Sequence, residues 1–383
     1  MAEDPPDAML IASFFLDATP LLDESWTGIP VVCANMARQL LDMGCHMHFC
    51  LGERLIPVEA VMEALERNTG LLLKHELDCG VTPTMPLSLP HGRVSVGLSA
   101  SVKRVRRVFD VECSVVHDMS TILQPQYHTP ENVAWHAQHL MEDIASNDVT
   151  LCISQATKDD LVAYFGADPA RLLLSHNGVG WPWYYPIRAA ADMAQGVEPY
   201  VLVLGTREPR KNLRLVLDML AGWPALLRRY RFVFAGKVGW LTEQEVMPPS
   251  LAGALKKGRV MQVGFVSDFE KYKLLRGAAL TIFPSLFEGF GLPILESLSV
   301  GTPCVAAFSS SMPEVGGAFC QYFDPCSAED LRRVVEGMLT KAGPRPLAAG
   351  CEAWVQRFTW PKLVARMLLA LAPAIQRHWA RRA

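Results

Sequence analysis

Short apolar runs alternate with helix-patterned stretches along most of this chain, and the alternation is clearest in the second half. There "YVLVLG" (200–205), "RFVFAG" (231–236), "VMQVGF" (260–265), "LTIFPS" (280–285) and "TPCVAAF" (302–308) read as buried strands. Between several of them, "NLRLVLDML" and "ILESLSV" read as helices. "SDFEKYKLLRGAA" opens with Ser267 and Glu270 at capping-box spacing. Strand, helix, strand at this rhythm predicts a parallel, doubly wound α/β sheet.

The first half repeats the rhythm less clearly. Its strand candidates are "MLIASFFL", "HMHFCLG", "CSVVHD", "VTLCIS" and "RLLLSHNG". "VVCANMARQLLDMG", ending at a C-cap-like Gly44, and "QATKDDLVAYFG" read as helices. The small and polar stretch "RAAADMAQGVEP" (188–199) precedes a strong strand and predicts a linker. The expected domains are therefore 1–190 and 198–358, with 359–383 as a final helix. Two such halves joined by a linker predict a cleft, and open α/β sheets bind ligands at the carboxyl ends of their strands.

Composition narrows the partners. At 383 residues the chain has room for two domains, and 50% hydrophobic with 20% charged residues describes a globular protein with ample core. A net charge of -3 argues against nucleic acid as a partner. The ten cysteines include no C-x-x-C, so they predict neither zinc ligation nor a disulfide framework, and a reducing cytoplasm is expected. The start "MAEDPPDA" is acidic, unlike a signal peptide, and no uninterrupted apolar stretch approaches a membrane span of about 20 residues.

The chemistry concentrates in "FPSLFEGFGLPILES". Pro293 suits a helix's first turn, so the N–H groups of Gly289, Phe290, Gly291 and Leu292 would face outward at a helix start, where the dipole favours an anion. Gly289 and Gly291 permit positive φ and close approach by a phosphate. Glu296 lies about one turn into that helix and leans back toward its start. An ionised carboxylate only accepts hydrogen bonds, which suits two adjacent hydroxyls such as a ribose diol. Glu288, in the loop, suits another polyol. The competing reading, a Ser285/Glu288 capping box with Glu296 on a solvated face, conflicts with the Gly-Phe-Gly-Leu-Pro interruption. A dinucleotide loop conflicts with Ile294 at its third glycine position.

"GTREPRKNL" (205–213) places Arg207, Arg210 and Lys211 between a strand and a helix, where they suit phosphate oxygens. In the first half, "SVVHDMS" ends a strand with His117 and Asp118, and "SWTGIP" sets Gly28 before the first helix. "HTPENVAWHAQHLMED" carries His128, His136, His139 and Glu142, more simply a polar helix than a metal site. "SVKRVRRVF" (Lys103, Arg104, Arg106, Arg107) and "WPWYYP" are compatible with a solvated basic face or with contact at an anionic membrane surface.

Taken together, "TGIP", "HDMS", "SQATKDDL", "LLLSHNGV", "PYVLVLGTREPRKNL", "FVFAGKVGW", "GFVSD", "FPSLFEGFGLPILESLSVGTP" and "SSMPEVGG" resemble the retaining GT-B-type glycosyltransferases of family 4, especially the bacterial mannosyltransferase-like group. The resemblance implies two Rossmann-like domains facing across a cleft, with the last helix, "RFTWPKLVARMLLALA", crossing back to the N-terminal one. It implies transfer of a sugar from a nucleoside-diphosphate donor to a hydroxyl of a glycan or polyprenyl-linked glycan, with GDP-mannose favoured as donor. Cofactor and metal are not expected, and the work would be done in the cytoplasm or at the cytoplasmic face of a membrane. It assigns His117, Glu288, Arg210 and Lys211 to sugar and diphosphate, and Gly28, Thr206, Arg207, Gly289, Phe290, Gly291, Leu292 and Glu296 to donor binding. The chain departs from the family at Thr206, where many relatives carry Arg directly after the strand glycine. The resemblance leaves two competitors, a sugar-nucleotide epimerase of the same fold and a sugar-nucleotide-binding protein without turnover.

Overall fold

In a computed structural model of the chain, the described residues are 7–192, 198–240, 247–340, 343–344 and 346–382. They fall into two compact units: Met1–Ile122 with Glu131–Gly178 and Thr359–Ala383, and Leu123–Pro130 with Val179–Phe358. The division at Gly178 and Val179 lies ahead of the boundary expected at 188–199. Part of that stretch belongs to a helix, Tyr185–Asp192, and residues 193–197 lie outside the described residues. Its run of alanines, the best helix formers, explains why a small, polar composition is helix here.

The first unit is built on one eight-stranded sheet. Its strands are β1 (Ala12–Asp17), β2 (Met47–Leu51), β3 (Arg54–Ile56), β4 (Met85–Pro86), β5 (Val94–Ser99), β6 (Val111–Val116), β7 (Val149–Cys152) and β8 (Leu172–Leu174), in the order β4-β3-β2-β1-β5-β6-β7-β8. All pairings from β2 through β8 are parallel, and only the β3 and β4 pairings are antiparallel. Phe14 and Phe15 on β1 are wholly buried, as expected of a central strand covered on both faces.

Helix Ile29–Asp42 covers this sheet together with the C-terminal helix Trp360–Ala380. The latter, with the short helix before it, is long and apolar enough to cross a membrane by composition alone. Its apolar residues Leu363, Val364, Met367, Leu368, Leu371 and Ile375 are nevertheless buried in this unit, against β5, β6 and β7. Gly178 admits its start: a Cβ there would meet the Trp360 backbone nitrogen at 2.2 Å. Arg382 closes its end with two 2.7 Å bonds to Asp110.

The basic run in this unit is largely structural. Lys103 is 4% exposed and donates to Glu112 at 2.5 Å, while Arg106 donates to Asp143 at 2.6 Å. Two of the four cations are thus consumed in internal pairs, and Arg104 and Arg107 alone of the four are exposed. Their acidic partners lie 9 and 37 residues downstream, beyond the reach of a local charge count.

The second unit holds a six-stranded, wholly parallel sheet: β9 (Tyr200–Leu204), β10 (Arg231–Ala235), β11 (Val260–Gly264), β12 (Leu280–Phe283), β13 (Cys304–Ala307) and β14 (Cys320–Phe323). The order is β11-β10-β9-β12-β13-β14. The winding reverses between β9 and β12, so the loops leaving these two strands diverge and open a crevice there.

Candidate active site

The two loops at that crevice carry the charged residues singled out in the sequence. Past β9, the Arg207 N–H donates to Lys237 O at 2.9 Å, and the chain then makes one tight turn over Pro209–Lys211. Asn212 follows in the left-handed conformation, φ 54°, and its Nδ2 donates to Pro284 O at 3.1 Å and Pro325 O at 2.9 Å. Leu286 N–H donates back to Arg210 O at 2.8 Å. The β9 loop is therefore clamped to the β12 loop.

Between the loops lies a buried ionic cluster. Glu288 is 7% exposed, with Lys211 Nζ at 2.6 Å on one carboxylate oxygen and Arg210 Nη1 at 3.1 Å on the other. Arg210 Nη2 donates to Glu208 at 2.8 Å. Burial pushes the Glu288 carboxyl up, but the Lys211 and Arg210 charges outweigh it and hold the group below the usual carboxylate range. Burial dominates at Glu208, whose carboxyl is raised despite both cations, with Glu288 adding to the rise. Two acids and two cations make the cluster formally neutral, which allows it to be buried. Arg207 does not join it; its guanidinium extends to Gln262 at 3.4 Å. Arg207 and Gln262 line a small open pocket with Gly205, Gly236 and Gly264, at the carboxyl ends of β9, β10 and β11. Thr206 precedes Arg207 in the same loop.

The helix after β12 begins as its sequence suggests. Leu292–Ser299 starts at Gly291, φ 99°, with Pro293 in the first turn. Gly291 alone of the two glycines takes positive φ; Gly289 does not. The Phe290 side chain is buried against Phe358, so only its backbone can serve a ligand. Ser310, itself left-handed at φ 44°, accepts from the Glu288 N–H at 2.8 Å, and Ser311 Oγ lies 2.9 and 3.0 Å from the Glu288 and Phe290 carbonyls. These serines fix the loop's curvature. Glu296 projects from the first turns of the helix and meets Lys271 Nζ at 2.7 Å.

In the first unit, His117 stands just past the carboxyl end of β6. Its Nε2–H donates to Ala100 O at 2.6 Å, so Nδ1 is the acceptor nitrogen of the neutral ring. Burial lowers its pKa, the charge of His136 adds to this, and the Ala100 bond and Asp118 offset only part. Gly28, φ 58°, caps helix Ile29–Asp42, and nothing lies within 4 Å of where a Cβ would sit. Among the described residues, His128, His136 and His139 form no cluster that could hold a metal ion. His136 bonds within its own helix to Asn132 O at 2.9 Å, and His139 sits between Trp135 and Glu142. His128 belongs to the second unit, beside Trp240.

Sequence reasoning missed Glu208, Lys271, Ser310 and Ser311. Glu208 stood inside the quoted "GTREPRKNL", and an acid two residues before an arginine was the available signal. Nothing local marked Lys271, because its partner is 25 residues away.

Residues 192–348 match the family described as glycosyl transferases group 1. The O-antigen chain mannosyltransferase B of Escherichia coli is 28% identical over 263 residues, 66% of this chain and 68% of that protein. The serotype-specific mannosyltransferase WbdA of E. coli is 29% identical over 256 residues, 64% of this chain but 31% of that protein, so the chain spans about a third of WbdA. Among solved structures, HepE of Anabaena in complex with UDP and glucose superposes over 97% of this chain and 99% of its own, with a TM-score of 0.56 at 14% identity, a likeness of fold. The doubly wound units, the ionic cluster at the switch point and these matches agree on a glycosyltransferase of GT-B fold, whose residues 192–348 carry the group 1 family pattern and which is similar in sequence to bacterial mannosyltransferases.

Proposed function

We propose that this glycosyltransferase moves mannose from GDP-mannose to a hydroxyl of a glycan or lipid-linked glycan, with retention of anomeric configuration. The setting is polysaccharide or lipopolysaccharide synthesis, as the names of the O-antigen mannosyltransferase relatives suggest. The observation that carries the reading is the pairing of Arg210 and Lys211 with Glu288 beside the start of helix Leu292–Ser299, with Glu296 one turn on. Departure of a nucleoside diphosphate develops negative charge, and preorganised cations and helix N–H groups aimed there stabilise that transition state.

In this reading Arg210 and Lys211, with Thr206 and Arg207 in the same loop, serve the diphosphate. The N–H groups of Gly289, Phe290, Gly291 and Leu292 serve it from the helix start. Glu288 holds the two cations until the diphosphate takes them over, and then turns to hydroxyls of the donor sugar. Glu296 accepts from the ribose diol. His117, neutral and with Nδ1 available, accepts from a sugar hydroxyl, and Gly28 leaves room for the donor. With two cations and a helix start at the leaving group, no metal ion is required. A lipid-linked acceptor would bring the protein to the cytoplasmic face of a membrane.

Ligand binding stabilises the folded state, so a thermal-shift panel of UDP, GDP, ADP and dTDP with their sugars tests the donor assignment. GDP and GDP-mannose should raise the melting temperature most. A larger rise with another base would overturn the choice of donor, and no rise with any would overturn the nucleotide-sugar reading.

A further inference from the structure

The Glu296 carboxylate is not held by its own helix. Lys271, on helix Asp268–Gly277, reaches it at 2.7 Å and bonds to Asp268 at 3.1 Å. The ammonium also lies 5.2 Å from the centre of the Trp181 ring, within cation–π range. Trp181 is fixed in turn: its Nε1–H donates to Ser299 Oγ at 2.9 Å, and Ser299 Oγ donates to the Glu296 carbonyl at 2.8 Å. The ring is packed by Tyr185 and Tyr272. A lysine on a flexible stem is thus confined from three sides at one carboxylate oxygen.

We propose that Lys271 is a positioning residue for nucleotide recognition, orienting Glu296 so that its remaining lone pairs meet the two ribose hydroxyls. The proposal rests on the ribose assignment of Glu296. The lysine occupies one lone pair of Oε1. The second lone pair of Oε1 and both of Oε2 stay available, enough for two adjacent hydroxyl donors. Burial would lower the Lys271 ammonium, but Glu296 and Asp268 more than offset it and raise its pKa, so the charge that orients the carboxylate persists throughout the working pH range. Without the lysine, Glu296 keeps its place on the helix but loses the contact that selects its rotamer. The cost should fall on the ribose contact alone, and the diphosphate contacts should be spared.

The test is a thermodynamic cycle between residue and ligand, which a purely structural role would not move. Calorimetry measures GDP against 2′,3′-dideoxy-GDP, and UDP against 2′,3′-dideoxy-UDP, on wild type, Lys271→Met, Lys271→Arg and Glu296→Gln. Loss of the hydroxyls should weaken wild-type binding roughly ten- to a hundredfold, the scale of hydrogen bonds to a charged group. In Lys271→Met that ratio should shrink to below about threefold, as in Glu296→Gln. Lys271→Arg, which keeps the charge and the fold, should restore part of it. A wild-type ratio in both lysine variants overturns the proposal while leaving the ribose reading intact. A wild-type ratio in Glu296→Gln overturns the ribose reading itself. Equal weakening of both members of a pair in Lys271→Met places the lysine on another part of the ligand and also overturns the proposal. Failure of wild type to bind either diphosphate removes both ideas together.

Discussion

Glu288 holds the two cations that the account assigns to the diphosphate, and Glu288→Gln separates its effects on stability, binding and turnover. The side chain is 7% exposed, with Lys211 at 2.6 Å and Arg210 at 3.1 Å. Glutamine keeps the shape and one acceptor but not the charge. Removing one member of a buried ion pair costs about 3–5 kcal/mol, and Glu208 still serves Arg210, so about 3 kcal/mol of folding stability is the expected loss. Binding should move the other way. In wild type an incoming diphosphate must displace a charge-assisted bond worth about 1.5–3 kcal/mol, whereas in the variant it displaces a neutral one of about 1 kcal/mol. The difference, about 1 kcal/mol, makes free GDP bind roughly fivefold tighter. Turnover should nevertheless fall about a hundredfold, because a neutral carboxamide, with one acceptor oxygen in place of two charged ones, holds the sugar hydroxyls more weakly than a carboxylate does. Calorimetry with GDP, single-turnover rates with GDP-mannose and urea denaturation with and without GDP measure the three quantities. Tenfold weaker GDP binding in the variant would refute the reasoning, because Glu288 would then support the cations in the bound state instead of competing for them.

Three further outcomes follow from named contacts. Glu296→Ala should weaken GDP-mannose and free GDP in parallel, roughly ten- to a hundredfold, with little change in single-turnover rate at saturation, since the ribose does not change during reaction; calorimetry beside those rates checks it, and unchanged GDP affinity contradicts the ribose assignment. Activity should survive saturating EDTA, and complete loss restored by magnesium or manganese would show that the cations and helix start do not suffice at the leaving group. Burial, with Asp159 and Asp118 nearby, raises the Asp160 carboxyl from 3.8 to about 6. A carboxyl raised on folding costs stability as pH climbs through that window, so Asp160→Asn should stabilise the fold at pH 7 by about 1 kcal/mol, allowing for its solvent exposure, and by nothing near pH 4; urea denaturation giving equal gains at the two pH values would contradict it.

The parts legible in the sequence were those whose signal is local. The five strand runs of the second half are apolar and bounded by Gly, Pro or Ser, and each became a strand of the parallel sheet. The Ser267/Glu270 capping box formed as spaced, and Pro293 and Gly291 mark the helix start between the two acids. β5 was missed because it alternates Val and Leu with Ser95, Gly97 and Ser99 and looks half polar, although all six residues are buried. Gly97 is needed there, since a Cβ would strike the Phe109 ring at 2.2 Å. β14, "CQYF", is a short edge strand with an exposed glutamine and little apolar signal. In the site, "GTREPRKNL" and "EGFGLPILE" each announced charge, but their meeting across 77 residues is a property of strand order. The same holds for Lys271, whose contact with Glu296 appears only when two helices pack side by side. The basic run at 103–107 shows the limit of a local count of cations, since Glu112 and Asp143 take up Lys103 and Arg106 and leave Arg104 and Arg107 exposed.

The measurement that tests the account most directly is the nuclear magnetic resonance analysis of the product formed by purified protein from GDP-α-mannose and a mannose-terminated oligosaccharide. Release of GDP and a new mannose joined in the α configuration are expected, with both signals appearing about a hundredfold more slowly in Glu288→Gln. A β-linked product, or equal initial rates of product formation by wild type and Glu288→Gln, would contradict it.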